Sequence, residues 1–398
     1  MSNIALSIVI PTKNRVEYAK ICFSSILSME SDVFELVVVD NSDDDLLQNW
    51  IYSNISDSRL KYIRKNEFLT VVENFQIGID NANGEYVCTM GDDDGLNPEI
   101  IELVSWAKKN NIDAVTPKFI ADFIWPDLNH LKSNSKSAGT LKIKTFSKNF
   151  SFLNVEEGLN KLSRTCGMDL ADSFYIPKIY YGIIKNDILK KAKYNLGTNF
   201  PGVSPDLSGA IVASAYIKKY CVIDYPIFIA GSSIKSTAGA SNLKKHHGSL
   251  DEQKHISKVA IASWPKQIPN IFSVETVWSQ SAYMSLRAIG RDDLVTRFNF
   301  PRIYASLLMF NRSYYKYVIS SFKYTFQKSL IFNFIKVIKE YINLIFKRAK
   351  YLVINVKNKF FGTSIILNDI STIDQANMKL SEYLKRNNFA LNKILHND

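Results

Sequence analysis

The first 110 or so residues alternate short β-prone apolar runs with segments of helical spacing, and this alternation restricts the fold more than any other feature. The runs are Leu6–Ile10, Phe34–Val39, Leu60–Ile63 and Tyr86–Met90. Tyr18–Met29, Leu46–Ile55, Phe68–Asn81 and Glu99–Asn110 read as helices; in the first, Ala19, Cys22, Phe23, Ile26 and Leu27 repeat at helical intervals. Uninterrupted apolar strands joined through helices are buried on both faces. They predict an α/β fold with a Rossmann-like, mostly parallel central sheet and right-handed crossovers. Such a sheet binds ligands beyond the carboxyl ends of its strands. Pro11–Arg15, Asp40–Asp45 and Asp92–Asp94 should therefore meet at one edge.

The fourth run ends in Asp92, Asp93 and Asp94, bracketed by Gly91 and Gly95 and followed by Pro98. Adjacent carboxylates repel unless a cation or a proton neutralises them. A divalent metal holding a diphosphate is one use of such a cluster, because hard cations take oxygen ligands and share phosphate oxygens. An acidic turn that caps the next helix is the structural alternative. No GxGxxG follows the first strand and no GxxxxGK[ST] occurs, so a glycine-rich loop is not the expected phosphate device.

Four blocks stand in order over roughly the first 115 residues: Ser7-Ile-Val-Ile-Pro-Thr-Lys-Asn-Arg15, Val37-Val-Val-Asp-Asn-Ser42, Asn83-Gly-Glu-Tyr86, and Gly91-Asp-Asp-Asp94 with Pro98. In this register the chain resembles the family-2 glycosyltransferases of the GT-A fold. The resemblance implies a nucleotide-sugar donor, UDP-linked, a divalent metal, Mn2+ or Mg2+, and inversion at the anomeric carbon. By position it implies that Pro11, Thr12, Asn14 and Arg15 wall the nucleoside pocket and that Asp40 bonds the base or ribose. Asp92 would face the donor, and Asp93 and Asp94 would hold the metal. Ordinary loop chemistry is the alternative for these residues. The acidic block departs from the family's Asp-x-Asp-Asp with a proline four residues beyond. Counted back from Pro98, Gly91 takes the first acidic place; read as a plain DxD, the pair is Asp92 and Asp94. Both frames stand.

Farther on, Asp113–Phe119 reads as a strand and Ile120–Phe152 as irregular, with the polar run Lys132–Gly139 as a loop over the site. Tyr180–Lys185 reads as a strand. Ser204-Pro-Asp206 precedes a helical stretch, Leu207–Tyr220, and Asp206 suits a helix start on hydrogen-bond and dipole grounds. The resemblance implies a second role, since the family carries a later acid at a helix start that deprotonates the acceptor hydroxyl. Asp169 and Asp172 are rivals for it. Cys221–Ala230 reads as a strand or strand pair. Beyond it, Lys235, His246 and His247 lie on a Gly/Ser-rich stretch able to bind phosphate oxygens, with plain solvated residues as the alternative. Trp264–Asp293 reads as helical.

Charge separates the tail from the rest. Residues 302–361 hold 12 Lys and Arg against one acid, Glu340, leaving 37 bases and 37 acids elsewhere, so the net charge of +11 lies wholly in this segment. Within it, Phe334, Ile335, Ile338, Tyr341, Ile342 and Ile345 fall on one side of a helix, with Lys336, Lys339, Lys347 and Lys350 mostly elsewhere. Such a helix suits an anionic membrane surface; a helix packed on its own protein with a basic outer face is the alternative. No RNA-binding motif accompanies it, and no nucleic acid is expected. The expected organisation is a catalytic domain over residues 1–300 and a basic, aromatic helical extension over 301–398. Cys22, Cys88, Cys166 and Cys221 show no ligand spacing and are expected as reduced core thiols.

No N-terminal signal and no apolar run long enough to span a bilayer are evident. The expected location is the cytoplasm, peripheral to the inner face of the membrane. The expected acceptor is a glycan or a polyprenyl-diphosphate-linked sugar of a bacterial surface polysaccharide, with an oligomer left open. A metal-dependent nucleotidyltransferase and an inactive adaptor on the same fold are the rival readings.

Overall fold

The computed structural model describes residues 4–119, 121–130, 138–168, 174–236, 247–253, 255–361 and 364–396. Asp169, Asp172, His246 and most of the Lys132–Gly139 run lie outside them. The chain opens with β1 (Leu6–Thr12), α1 (Val16–Leu27), β2 (Phe34–Asp40), α2 (Leu46–Asn54), β3 (Leu60–Arg64), α3 (Val71–Asp80) and β4 (Tyr86–Thr89). β3, β2, β1 and β4 pair in parallel in that order. β2 is buried at every position, and Ile8, Val9 and Ile10 of β1 are fully buried. Each such side chain contributes about 1.5–3 kcal/mol on leaving water, which accounts for the unbroken apolar runs.

Two-residue β5 (Gly95–Leu96), α4 (Ile100–Lys109), β6 (Ala114–Pro117), β7 (Ala121–Ile124), β8 (Thr140–Lys144), β9 (Phe150–Leu153) and α5 (Val155–Thr165) follow. Next come β10 (Ile183–Lys185), α6 (Asn186–Leu196), α7 (Pro205–Ser214), β11 (Tyr220–Ile223), β12 (Phe228–Ser232) and, near the C-terminus, β13 (Ser364–Leu367). The main sheet runs β3-β2-β1-β4-β10-β6-β11-β9, and a second sheet runs β13-β8-β7-β12-β5. β10 is antiparallel to both neighbours, and β9 is antiparallel to β11. The main sheet is parallel in its first half and mixed in its second.

Three expectations change. The stretch 120–152, expected to be irregular, carries β7, β8 and β9. β8 alternates buried and exposed residues around Leu141 and Ile143, a two-residue period too short to stand out beside the polar run. The strand expected from Tyr180 starts at Ile183, because Tyr181 adopts φ +60°. The helix expected over Trp264–Asp293 is continuous only over Val274–Ala288; Pro265 and Pro269 cannot sit inside a helix. All four cysteines are buried and free.

The region after residue 300 is not a separate body. Helix Phe300–Phe310 buries Ile303, Tyr304 and Leu307 in the same core as α7. β13 pairs antiparallel with β8, and helix Ile373–Arg386 buries Ile373, Ala376, Leu380 and Leu384 in the core built on Leu6 and Tyr86. Helix Leu330–Phe361 stands at the margin. It packs on Phe300–Phe310 and leaves most of its surface over residues 330–354 in solvent. Among the described residues no helix is long and apolar enough to cross a membrane.

Candidate active site

The carboxyl ends of β1, β2 and β4 meet as the alternation requires. Asp92, Asp93 and Asp94 are at most 3% exposed, yet they lie against the loop after β1. Thr12 Oγ1 donates to Asp92 Oδ2 at 2.5 Å. The Arg15 guanidinium forks across two acids, its Nη1 2.8 Å from Asp92 Oδ1 and its Nη2 2.7 Å from Asp93 Oδ2. Burial alone would discourage a charge on Arg15; Asp92 and Asp93 more than offset it and raise its pKa. A side chain of the first loop thus supplies the cation that three packed acids require.

Asp94 is fastened differently. Its Oδ1 accepts from Gly231 N at 2.7 Å, and its Oδ2 accepts from Gly91 N at 2.6 Å and Tyr180 Oη at 3.0 Å. Ser233 Oγ donates to Asp93 Oδ2 at 2.6 Å, and Trp125 Nε1 to the Asp93 carbonyl at 3.0 Å. Burial, reinforced for Asp94 and partly opposed by Arg15 for Asp92, raises both pKa values. Gly91 sits in close quarters: a Cβ there would come within 2.9–3.1 Å of Asp94 Oδ2, Tyr180 Oη and Asp93 Oδ1. A side chain in the first place of the motif would have to push those three side-chain ends aside.

The three acids are not equivalent toward a divalent cation. Asp94's oxygens already take three hydrogen bonds. Asp92 Oδ1 is buried with no hydrogen-bond donor, facing only the Arg15 charge. Among the described residues no three His, Cys, Asp or Glu side chains converge as a ligand set. A cation held by one or two carboxylates and completed by phosphate oxygens would have to displace Arg15 at Asp92 and Asp93, or hydrogen bonds at Asp94.

Between the segments after β1, β2 and β3, a cavity of about 380 Å³ is lined by Lys13, Asn41, Ser42, Asp43, Arg64 and Phe68, among others. Asn14 ties its two walls: its Nδ2 donates to Asp43 Oδ2 at 2.7 Å, and its Oδ1 accepts from Asp43 N at 2.8 Å. Lys13 Nζ lies 4.8 Å over the Phe68 ring. Pro11 sits within β1 opposite Val39. Asp40, expected to bond the base or ribose, is fully buried. It accepts from Ser42 N at 2.8 Å and Tyr62 Oη at 2.6 Å, with Arg64 at 3.6 Å. A ligand would have to displace these partners to reach Asp40, whereas Asn41, Ser42 and Phe68 line the cavity.

Asp206 is the second residue of α7, after Pro205. Ser204, at the cap position, makes no capping side-chain bond, and Asp206 is half-buried. Burial raises its pKa to about 6, with Lys178 pulling it back. The field of Asp206 also reaches Tyr180, whose own pKa is raised first by burial and then by Asp94 and Asp206. Tyr180 itself hydrogen-bonds Asp94. Lys235 pairs with Glu17 at 2.5 Å and reaches the Asn14 carbonyl at 3.4 Å, beside the first loop. His247 is exposed, and no hydrogen bond or ion pair joins it to the acids.

Sequence reading did not single out Tyr180, Gly231, Ser233 or Trp125. Ser233 lies on the loop expected to meet phosphate, which was the available signal. Gly231 opens that same loop, while Tyr180 and Trp125 are ordinary residues until folding brings them to the triplet.

Residues 7–168 match the family model described as Glycosyl transferase family 2. An uncharacterized glycosyltransferase of Rickettsia conorii is 28% identical over 113 residues, 28% of this chain and 18% of that protein. One from Rickettsia felis is 29% identical over 108 residues, 27% of this chain and 18% of that protein. The match spans under a fifth of either relative's length. Among solved structures, S. aureus TarS 1–349 in complex with UDP-GlcNAc is 14% identical, with a TM-score of 0.47 over 85% of this chain and 89% of that one. The same protein in complex with UDP is 15% identical, with a TM-score of 0.44 over 81% and 92%.

Proposed function

We propose, from the match of residues 7–168 to the model described as Glycosyl transferase family 2, that the chain moves a sugar from a nucleotide-sugar donor, UDP-linked, to a hydroxyl with inversion. The acceptor we infer is a glycan or a polyprenyl-diphosphate-linked sugar of a bacterial surface polysaccharide. The observation that carries this reading is the buried acid triplet over which Thr12 and Arg15 of the first loop close, at the carboxyl ends of β1 and β4.

In the proposed reaction Asp206 accepts the proton of the acceptor hydroxyl as that oxygen bonds to the anomeric carbon. The bond from that carbon to the diphosphate breaks, and its electron pair leaves with the nucleoside diphosphate. A pKa of about 6 leaves Asp206 ionised near neutral pH and still able to take up a proton. The cavity lined by Asn41, Ser42 and Phe68 receives the nucleoside. Lys13, Arg15 and Lys235, which stand on or beside the first loop, would oppose the negative charge that develops on the departing diphosphate. Mn2+ or Mg2+, held by Asp92 and Asp93, would add further neutralisation of the leaving group.

Asp206→Asn tests the reading. It should bind nucleotide sugar as the parent does and lose turnover by at least about 100-fold, the usual contribution of a positioned base. Unchanged turnover would remove Asp206 from the chemistry. Release of diphosphate from nucleoside triphosphates, with no sugar transfer, would replace the reading with nucleotidyl transfer.

A further inference from the structure

Helix Leu330–Phe361 is amphipathic in the reverse sense. A helix on the surface of a globular protein turns its apolar stripe inward. This one packs on the protein through Asn333 and Val337, which are buried, and through Glu340, Tyr341 and Leu344, which are partly so. Ile331, Ile335, Ile338, Ile342 and Ile345 recur at helical intervals on the opposite side and are all exposed, from 46% at Ile338 to 83% at Ile331. Phe346, beside them, is 69% exposed. At about 1.5 Å per residue the stripe runs about 20 Å along the axis. Lys336, Lys339 and Lys350 are exposed along one flank, as the 100° rotation per residue requires.

We propose that this outer face docks on an anionic lipid bilayer, with the helix lying in the interface plane and the isoleucines turned toward the acyl chains. An exposed apolar stripe of this length marks a surface that something covers. The charge decides what covers it. Residues 302–361 carry 12 bases and one acid. That acid, Glu340, is turned inward to Arg302 at 3.5 Å and Asn299 at 3.2 Å, so it neutralises nothing on the outer face. A second copy docked through the same face would set lysine flank near lysine flank, and like-charge juxtaposition disfavours association. Lipid phosphates complement that flank, as acyl chains do the stripe. The helix lies on the bilayer and does not cross it, since it lacks a long enough apolar window. This docking does not rest on the transfer reading and is measured without donor or acceptor.

The test uses the full chain with vesicles of phosphatidylcholine alone and of phosphatidylcholine with phosphatidylglycerol, followed by sedimentation at low and high salt. The parent should bind the anionic vesicles, release with salt, and bind the neutral ones at least about tenfold more weakly. Lys336→Gln with Lys339→Gln should weaken anionic binding about 25-fold, from roughly fivefold per lysine. Ile338→Glu with Ile342→Glu should abolish binding; both sites are exposed, and an unchanged thermal midpoint verifies the fold. A parent that ignores anionic vesicles overturns the proposal, and so do variants that bind as the parent does. A parent dimer that the isoleucine variant splits, with no vesicle binding, gives the face to a second copy and likewise overturns it.

Discussion

Tyr180 donates its phenolic hydrogen to Asp94 Oδ2 across 3.0 Å, joining the segment before β10 to the last acid of the triplet. The same ring lies 6.2 Å from Phe75 of α3 and 4.4 Å from Tyr181, which hold it in place. Tyr180→Phe keeps the ring and removes only the hydroxyl. A hydrogen bond to a charged or partly charged acid is worth about 1–3 kcal/mol. Asp94 retains Gly91 N and Gly231 N, so the protein should lose no more than about 1 kcal/mol of stability. Turnover should fall about tenfold, because the bond orients an acid at the donor site. Urea unfolding and initial rates measure the two effects, and an unchanged rate would reduce Tyr180 to packing.

The pH dependence follows from Asp206. Its pKa is raised from 3.8 to about 6 by burial, with Lys178 acting in the lowering direction. A base must be ionised, so log kcat should climb with pH to a plateau, with a midpoint near 6. Lys178→Met removes the lowering influence and should move the midpoint upward. Stability has the opposite sense. A carboxyl raised on folding favours the folded state when protonated, and that contribution is lost as pH rises through about 6. Asp206→Asn should therefore be more stable than the parent above that pH, by thermal denaturation, while inactive. A pH–rate profile that stays flat from 5 to 8 would count against Asp206 as the base.

Sequence reading reached some parts of this molecule and not others for physical reasons. β1, β2 and β4 are buried on both faces, so their apolar runs are continuous and their carboxyl ends predictable. The acid triplet could be located for the same reason. The half-exposed β8 and β9 left no such mark. Tyr180 and Ser233 are brought to the triplet by pairings far apart in the chain, and no local pattern encodes that. The helical period of 330–361 was plain, but its inward side was not: Tyr341 was grouped with Ile338 and Ile342, yet it packs partly against the protein while they face solvent.

The most distant contact at the site comes from the C-terminal helix. Gly95 follows the triplet directly, and a Cβ there would meet Asn377 Oδ1 at 2.6 Å and Ile373 at 3.1 Å. Asn377 Nδ2 also donates to Ser25 Oγ of α1 at 2.9 Å. Ile373 is fully buried, so Ile373→Ala should destabilise the protein by about 2–5 kcal/mol. Ile366→Ala, in exposed β13 surface, should change stability by no more than about 0.5 kcal/mol. The first variant should also raise KM for the donor, because the acid loop loses its backing. Denaturant midpoints and donor titrations compare the two. Equal, small effects would mean that residues 373–395 do not support the site.

Arg15 bears on whether the triplet serves a metal at all. Its guanidinium sits on the Asp92 and Asp93 oxygens. Removing one member of a buried, paired charge cluster leaves the others uncompensated, at about 3–5 kcal/mol. Arg15→Ala should therefore unfold at distinctly lower temperature than the parent in buffer containing EDTA. The same deletion exposes Asp92 Oδ1, which has no hydrogen-bond donor of its own. A carboxylate pair freed in this way is a hard-cation site. Millimolar Mn2+ should restore much of the lost thermal midpoint in Arg15→Ala while moving the parent far less. A variant insensitive to Mn2+ and Mg2+ alike, though destabilised as expected, would show that these acids are built to hold Arg15, and the diphosphate would then rest on the basic side chains alone.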